Sequence, residues 1–374
     1  MAGSSFISVH SLKNTGYPIF SLLPTHLNTM PLPSVVIAML WRQKADPKMT
    51  LLTLGFPITL LFLLLVTNLH LSPLIWPLLH RILVPHLPAE HLTMLLHQTK
   101  MGIHPVNTQA IYGLKQAPRA WYDELKAYLL SLGFQHSQCD HCLFIYAKSG
   151  VIIYLVVYVD DLIITGNQSH YVEEFIKQLD TRFSIKDLGD LNFFLGVEVI
   201  RSPLGLFLSQ QKYLCDILDR TNMTDAKPVR TPIAYGSCPG SKDGSPLEDP
   251  MQYMNVVGSL QYLMFTRPDV AFIVNKLSQF TSCPTTIGPW QNVFLRYLAG
   301  TSDRGLFLRK ESPLLLHAYS DSDWASDRDD HSSTTAYVVF LGCHPVSWSS
   351  KIQRVVARSS TEAEYRAIVI LLGA

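Results

Sequence analysis

The sequence predicts an α+β fold, and three observations carry that reading. Two aliphatic runs, 151–158 and 162–165, flank Asp160 and Asp161 and read as the strands of a buried hairpin closed by Gly166-Asn167. Between residues 118 and 220, apolar stripes at helical spacing alternate with strand-like text. After residue 313, three short strand patterns precede one more helical stretch.

Taken in order, Pro118 suits a first helical turn, and Trp121, Leu125, Tyr128, Leu129 and Leu132 form one apolar stripe that Gly133 ends. Ser169 is placed to cap a second helix carrying Phe175, Ile176 and Leu179. Residues 187–200 read as turn and strand, and 210–220 as a helix. Residues 221–250 are rich in Pro, Gly, Ser and Asp and read as a linker. Helical stretches are expected near 251–281 and 289–300, strands at 315–319, 336–341 and 345–349, and a helix from Thr361 onward.

Adjacent carboxylates at the tip of an apolar hairpin repel each other and resist desolvation. A divalent cation with a preference for hard oxygen ligands relieves both costs, and Mg²⁺ is the natural candidate. Paired metals at carboxylates are the machinery of phosphoryl transfer. On the tetrapeptide Tyr158-Val159-Asp160-Asp161 alone, an ordinary exposed Asp-Asp turn remains an equal reading.

The flanking residues extend the pattern. Upstream stands Tyr112-Gly113-Leu114-Lys115-Gln116-Ala117-Pro118-Arg119-Ala120-Trp121-Tyr122; downstream come Phe194-Leu195-Gly196-Val197-Glu198, Thr266-Arg267-Pro268-Asp269 and Leu295-Arg296-Tyr297-Leu298. Further on are Tyr319-Ser320-Asp321-Ser322-Asp323-Trp324 and Ser359-Ser360-Thr361-Glu362-Ala363-Glu364-Tyr365. Over residues 109–374 the chain resembles the polymerase and RNase H end of a copia-type LTR retrotransposon Pol polyprotein. The resemblance implies a palm-like antiparallel sheet with helices over 109–220, a linker and helical connection over 221–312, and a truncated mixed α/β RNase H-like domain over 313–374. It implies Asp160 and Asp161 as catalytic metal ligands, with Tyr158, Val159, Gly113 and Lys115 around the nucleotide. A plain turn before a helix is the competing reading of Gly113 and Lys115. In the RNase H-like part it implies Asp321 and Glu364 as catalytic metal ligands; Asp323 shares a strand face with Asp321 and reads as a rim or capping carboxylate, and Glu362 suits the first turn of its helix. Two Mg²⁺ ions, an RNA template, a DNA primer and an RNA–DNA hybrid are the implied cofactors and partners, in a cytoplasmic or nuclear setting.

The same resemblance exposes two gaps. The family carries a further polymerase aspartate on an earlier strand, yet the acids before Asp123 are Asp46, followed by Pro47, and Glu90, just after Pro88-Ala89. Neither context suits a central strand. The family's later RNase H acids would follow the last helix. The ligand count therefore predicts a fragment without DNA synthesis. A non-catalytic nucleic-acid-binding relic and a membrane protein stay open as alternatives.

Composition bounds these readings. The apolar fraction of 48% supports a sizeable core, and the net charge is +1. Residues 1–108 hold six Lys/Arg and two acids, while 109–374 hold 24 and 27, a balance that does not favour broad phosphate binding. Cys139-x-x-Cys142 lacks a second ligand pair, so it predicts no zinc site. Residues 1–108 are irregular, Leu/Pro/His-rich text of the kind that translation in a shifted frame yields. Within them, 50–69 has the length of a bilayer span, although prolines interrupt it and its continuation.

Overall fold

The computed structural model describes residues 10–11, 18–19, 95–101, 117–137, 140–158, 161–233, 245, 247, 249–284, 288–312 and 315–373. The suggested span at 50–69 lies outside them, and among the described residues no helix is long and apolar enough to cross a membrane.

The strands are β1 (His10–Ser11), β2 (Pro18–Ile19), β3 (Leu95–Met101), β4 (Gln135–His136), β5 (Leu143–Lys148), β6 (Val151–Tyr158), β7 (Asp161–Gly166), β8 (Ile185–Asp190), β9 (Phe193–Phe194), β10 (Val197–Ser202), β11 (Gly205–Ser209), β12 (Leu306–Arg309), β13 (Leu316–Asp323), β14 (Thr334–Leu341) and β15 (His344–Ile352). The helices are α1 (Ala117–Leu132), α2 (Ser169–Phe183), α3 (Gln211–Arg220), α4 (Pro250–Leu263), α5 (Ala271–Gln279), α6 (Gly288–Ala299) and α7 (Ser360–Leu372). β1 and β2 pair only with each other among the described residues. The larger sheets run β4-β5-β6-β7-β3-β8, β12-β11-β10-β9 and β13-β14-β15, and all their pairings are antiparallel.

β6 explains why the six-stranded sheet sits where it does. Seven of its eight residues are buried, and alternation sends them to two different cores. Ile152, Tyr154 and Val156 join Ile163 in a core shared with β10, β11 and β12. Ile153, Leu155 and Val157 join Leu162 and Ile164 in a core roofed by Leu125 and Leu129 of α1 and by Val172, Phe175, Ile176 and Leu179 of α2. At the far end of the hairpin, Asn167 Oδ1 accepts from Ile152 N at 2.9 Å and its Nδ2 donates to Gly150 O at 2.8 Å.

The stripe predicted for α1 is the face that packs, and Gly133 ends it at φ 96°. Ser169 does not cap α2; Gln168 holds that place without a side-chain bond, and Ser169 is the first helical residue. α4 starts as the chemistry of Asp249-Pro250 dictates, with the Asp249 carboxylate accepting from Met251 N at 3.0 Å. The stretch expected to be helical over 251–281 is split: α4 ends at Leu263, and a short 3-10 turn, Pro268–Val270, precedes α5.

Several strands escaped the sequence reading, among them β3, β5, β11 and β12. β3 lies inside the stretch read as irregular and inserts between β7 and β8. β12 follows the helical connection and returns to pair with β11. The helices α3 to α6 share a separate core that includes Leu214, Val257, Leu260, Val274, Phe294 and Leu298. That connection meets the C-terminal sheet at two polar points: Trp348 Nε1 donates to Met264 O at 3.0 Å, and Lys276 Nζ lies 3.4 Å from Asp327 Oδ2. Asp327, in the turn before β14, is thereby paired with a buried lysine.

Candidate functional site

The hairpin register pairs Tyr158 with Asp161, so Val159 and Asp160 form the connection between β6 and β7. Those two residues lie outside the described ones, as do Gly113 and Lys115. Of the residues expected at the polymerase site, the structure therefore places Tyr158 and Asp161. The Tyr158 ring meets Phe194 edge-on, with centroids 6.5 Å apart. Leu195 and Gly196 follow in left-handed conformation, and the Tyr262 hydroxyl of α4 donates to Leu195 O. The tip is thus braced by the turn before β10 and, through it, by the helical connection.

The neighbour on the other side of Asp161 is β3. Lys100 is its register partner, and Lys186 of β8 is the partner of Lys100 in turn. Paired residues of antiparallel strands share a sheet face, so the row reads Tyr158, Asp161, Lys100, Lys186. No residue of β3 is acidic. The β3 residue in register with Asp161 is Lys100.

The C-terminal site is built differently. Asp321 and Asp323 lie two residues apart on β13, hence on one face, and both are exposed. β13 pairs with β14 alone among the described residues. α7 crosses this strand and brings Glu364 to it. Burial pushes the Glu364 carboxyl up, and the negative charge of Asp321 adds to that; the Ser322 amide, hydrogen-bonded to the carboxylate, pulls it partly back. The structure thus places Glu364 within electrostatic reach of Asp321. Glu362 serves the helix: Ser359 Oγ accepts from its amide at 3.2 Å, and its carboxylate lies 2.6 Å from Arg366 Nη2.

Two residues of consequence were not singled out from the sequence. Gln353, 5% exposed, stands between β13, β14 and α7. Arg267, 2% exposed, makes paired bonds of 2.9 and 2.8 Å to Asp269, with further bonds to Thr301 O and Oγ1. The run Thr266-Arg267-Pro268-Asp269 carried the family resemblance but no sign of its burial. Among the described residues, no three His, Cys, Asp or Glu side chains are grouped to hold a metal ion. His136 Nε2 lies 2.9 Å from the His141 carbonyl oxygen.

Comparison with known proteins agrees with this architecture. Residues 103–235 match the reverse transcriptase (RNA-dependent DNA polymerase) family. The Retrovirus-related Pol polyprotein from transposon RE2 of Arabidopsis thaliana is 54% identical over 262 residues, covering 70% of this chain and 18% of that protein. An uncharacterized mitochondrial protein of the same plant is 42% identical over 58% of this chain and 91% of its own length. A transposon Ty5-1 protein of Saccharomyces cerevisiae is 35% identical over 68% of this chain and 84% of its own length. Spanning about a fifth of its polyprotein relative, and most of the two shorter ones, the chain belongs to the reverse transcriptase family of copia-type retrotransposon Pol polyproteins.

Proposed function

We propose that this chain is a fragment of an RNA-directed DNA polymerase with RNase H that does not itself extend a primer. The observation that supports this is the register of β3, which sets Lys100 beside Asp161. Reverse transcription needs divalent cations shared among carboxylates. At the register position next to Asp161, β3 offers a lysine and no acid, so it supplies no further carboxylate for a resident Mg²⁺ pair. Primer extension on an RNA template by the purified chain, with Mg²⁺ and all four deoxynucleotides, is expected to give no elongated product. Elongation above a protein-free blank would falsify the proposal. The substitution Lys100→Asp should create Mn²⁺ binding at the tip, read as broadening of the Tyr158 ring signals that the unmodified chain does not show.

The C-terminal pair fits a cation better. Two carboxylates of like charge near one another, one of them partly desolvated, are eased by Mg²⁺, whose hard oxygen preference they match. Asp321 and Glu364 would hold it, and a bound ion would polarise a phosphoryl oxygen of an RNA–DNA hybrid strand. The chain's own contribution is to present both acids at an open strand edge. Without a third acid in reach among the described residues, the pair holds a cation weakly.

A further inference from the structure

Gln353 follows directly on β15 and is nearly excluded from solvent at 5% exposure. Its amide Nε2 lies 2.8 Å from Thr335 Oγ1, 2.9 Å from Ala363 O and 3.2 Å from Ser322 Oγ. Ser322 and Thr335 are register partners on β13 and β14, so one side chain bridges two strands and a helix. The identities of the anchor points matter more than their number. Ser322 follows Asp321 in the chain, and Ala363 precedes Glu364. Ser322 also supplies the backbone amide that binds the Glu364 carboxylate.

The Oε1 atom of Gln353 is buried without a hydrogen-bond partner among the described residues. An unpaired buried carbonyl costs stability. An apolar side chain of the same length would escape that cost while filling the same space. Packing alone therefore does not account for an amide here; its bonds to Ser322 and Ala363 do.

We propose that Gln353 is a positioning residue that sets the separation between Asp321 and Glu364. It ties the peptide neighbours of both acids to one rigid amide, and so keeps two like charges closer than they would settle unaided. The inference rests on the reading of Asp321 and Glu364 as a cation-binding pair. Outer groups that orient metal ligands in this way change metal affinity by about 10-fold or more when removed.

The test uses the full chain with carboxyl-labelled glutamate, Glu364 being assigned by its loss in Glu364→Gln. The quantity read is the displacement of the Glu364 titration midpoint caused by Asp321→Asn, which measures how strongly the two acids sense each other. In a Gln353→Met background that displacement should fall to less than half. In a Leu371→Ala background, which loosens α7 from the sheet two turns away, it should be unchanged. Mn²⁺ affinity should drop about 10-fold in Gln353→Met. An Asp321-dependent displacement as large in Gln353→Met as in the unmodified chain overturns the proposal. If the unmodified chain binds no Mn²⁺ at the pair, the cation reading fails, and the titrations still decide the role of Gln353.

Discussion

Arg267–Asp269 and Asp321–Glu364 are two charged pairs handled in opposite ways. The first is buried and of opposite sign: its side chains are 2% and 8% exposed and meet at 2.8 Å. Burial pushes Asp269 up, but the Arg267 guanidinium and the Tyr297 hydroxyl, 2.7 Å away, outweigh it and hold the carboxyl below its ordinary value. The second pair is of like sign, stands at a strand edge, and leaves Glu364 above its ordinary value. Charge that completes its own balance inside the fold serves the fold. Charge left unbalanced by the chain invites a counter-ion from outside.

The strongest way to break this comparison is to unbalance the first pair. Arg267→Met leaves Asp269 and Thr301 buried without their partner, and urea unfolding should show a loss of about 3–5 kcal/mol. A loss below about 1 kcal/mol would mean the pair is solvated and the contrast false.

His344 offers an intermediate case, a titratable group kept neutral. Burial lowers it to about 4, the nearby positive charge of Arg309 adds to that, and a backbone hydrogen bond to Phe307 partly opposes them. The unfolded chain therefore takes up the proton first as pH falls. Stability should be constant above about pH 6.5 and drop by roughly 2–3 kcal/mol between there and pH 4. Urea midpoints across that range, compared with His344→Gln, check both the sign and the window.

The like-charged pair is sharpened by adding its missing partner. The raised Glu364 means that its contribution to stability is full below its unfolded value and lost as pH rises through the folded one. At neutral pH, Mg²⁺ at ten times its dissociation constant should return about 1.4 kcal/mol, visible as a higher melting temperature. Asp321→Asn should abolish that gain. In the absence of divalent cation the same substitution should stabilise by only roughly 0.5 kcal/mol, and less in high salt.

Local signals made most of the fold legible. The hairpin, the α1 stripe with Gly133, and the Ser359–Glu362 capping pair each fall within a short window of sequence. β3 was hidden because Leu95-Leu96-His97-Gln98-Thr99-Lys100-Met101 neither alternates cleanly nor carries a β-branched run. The structure records the strain of that choice: His97 Nδ1 and Thr99 Oγ1 are buried without partners among the described residues. β12 is too short for a periodic signal and gains its place only by returning to β11. At the site, Asp321 and Glu364 could be read from their motifs. Gln353 could not, because its partners lie 31, 18 and 10 residues away.

The double-sided burial of β6 creates a hazard of misalignment. A slide by one residue would exchange the two sets of inward side chains, and since both sets are apolar, no polar group would be forced out of water to punish the error. Shape alone is a poor guard against such slippage. Asn167 ties the native alignment by bonding Gly150 O and Ile152 N at once, two bonds that break if the strand slides. One polar amide thus helps to hold the alignment of an almost wholly buried strand.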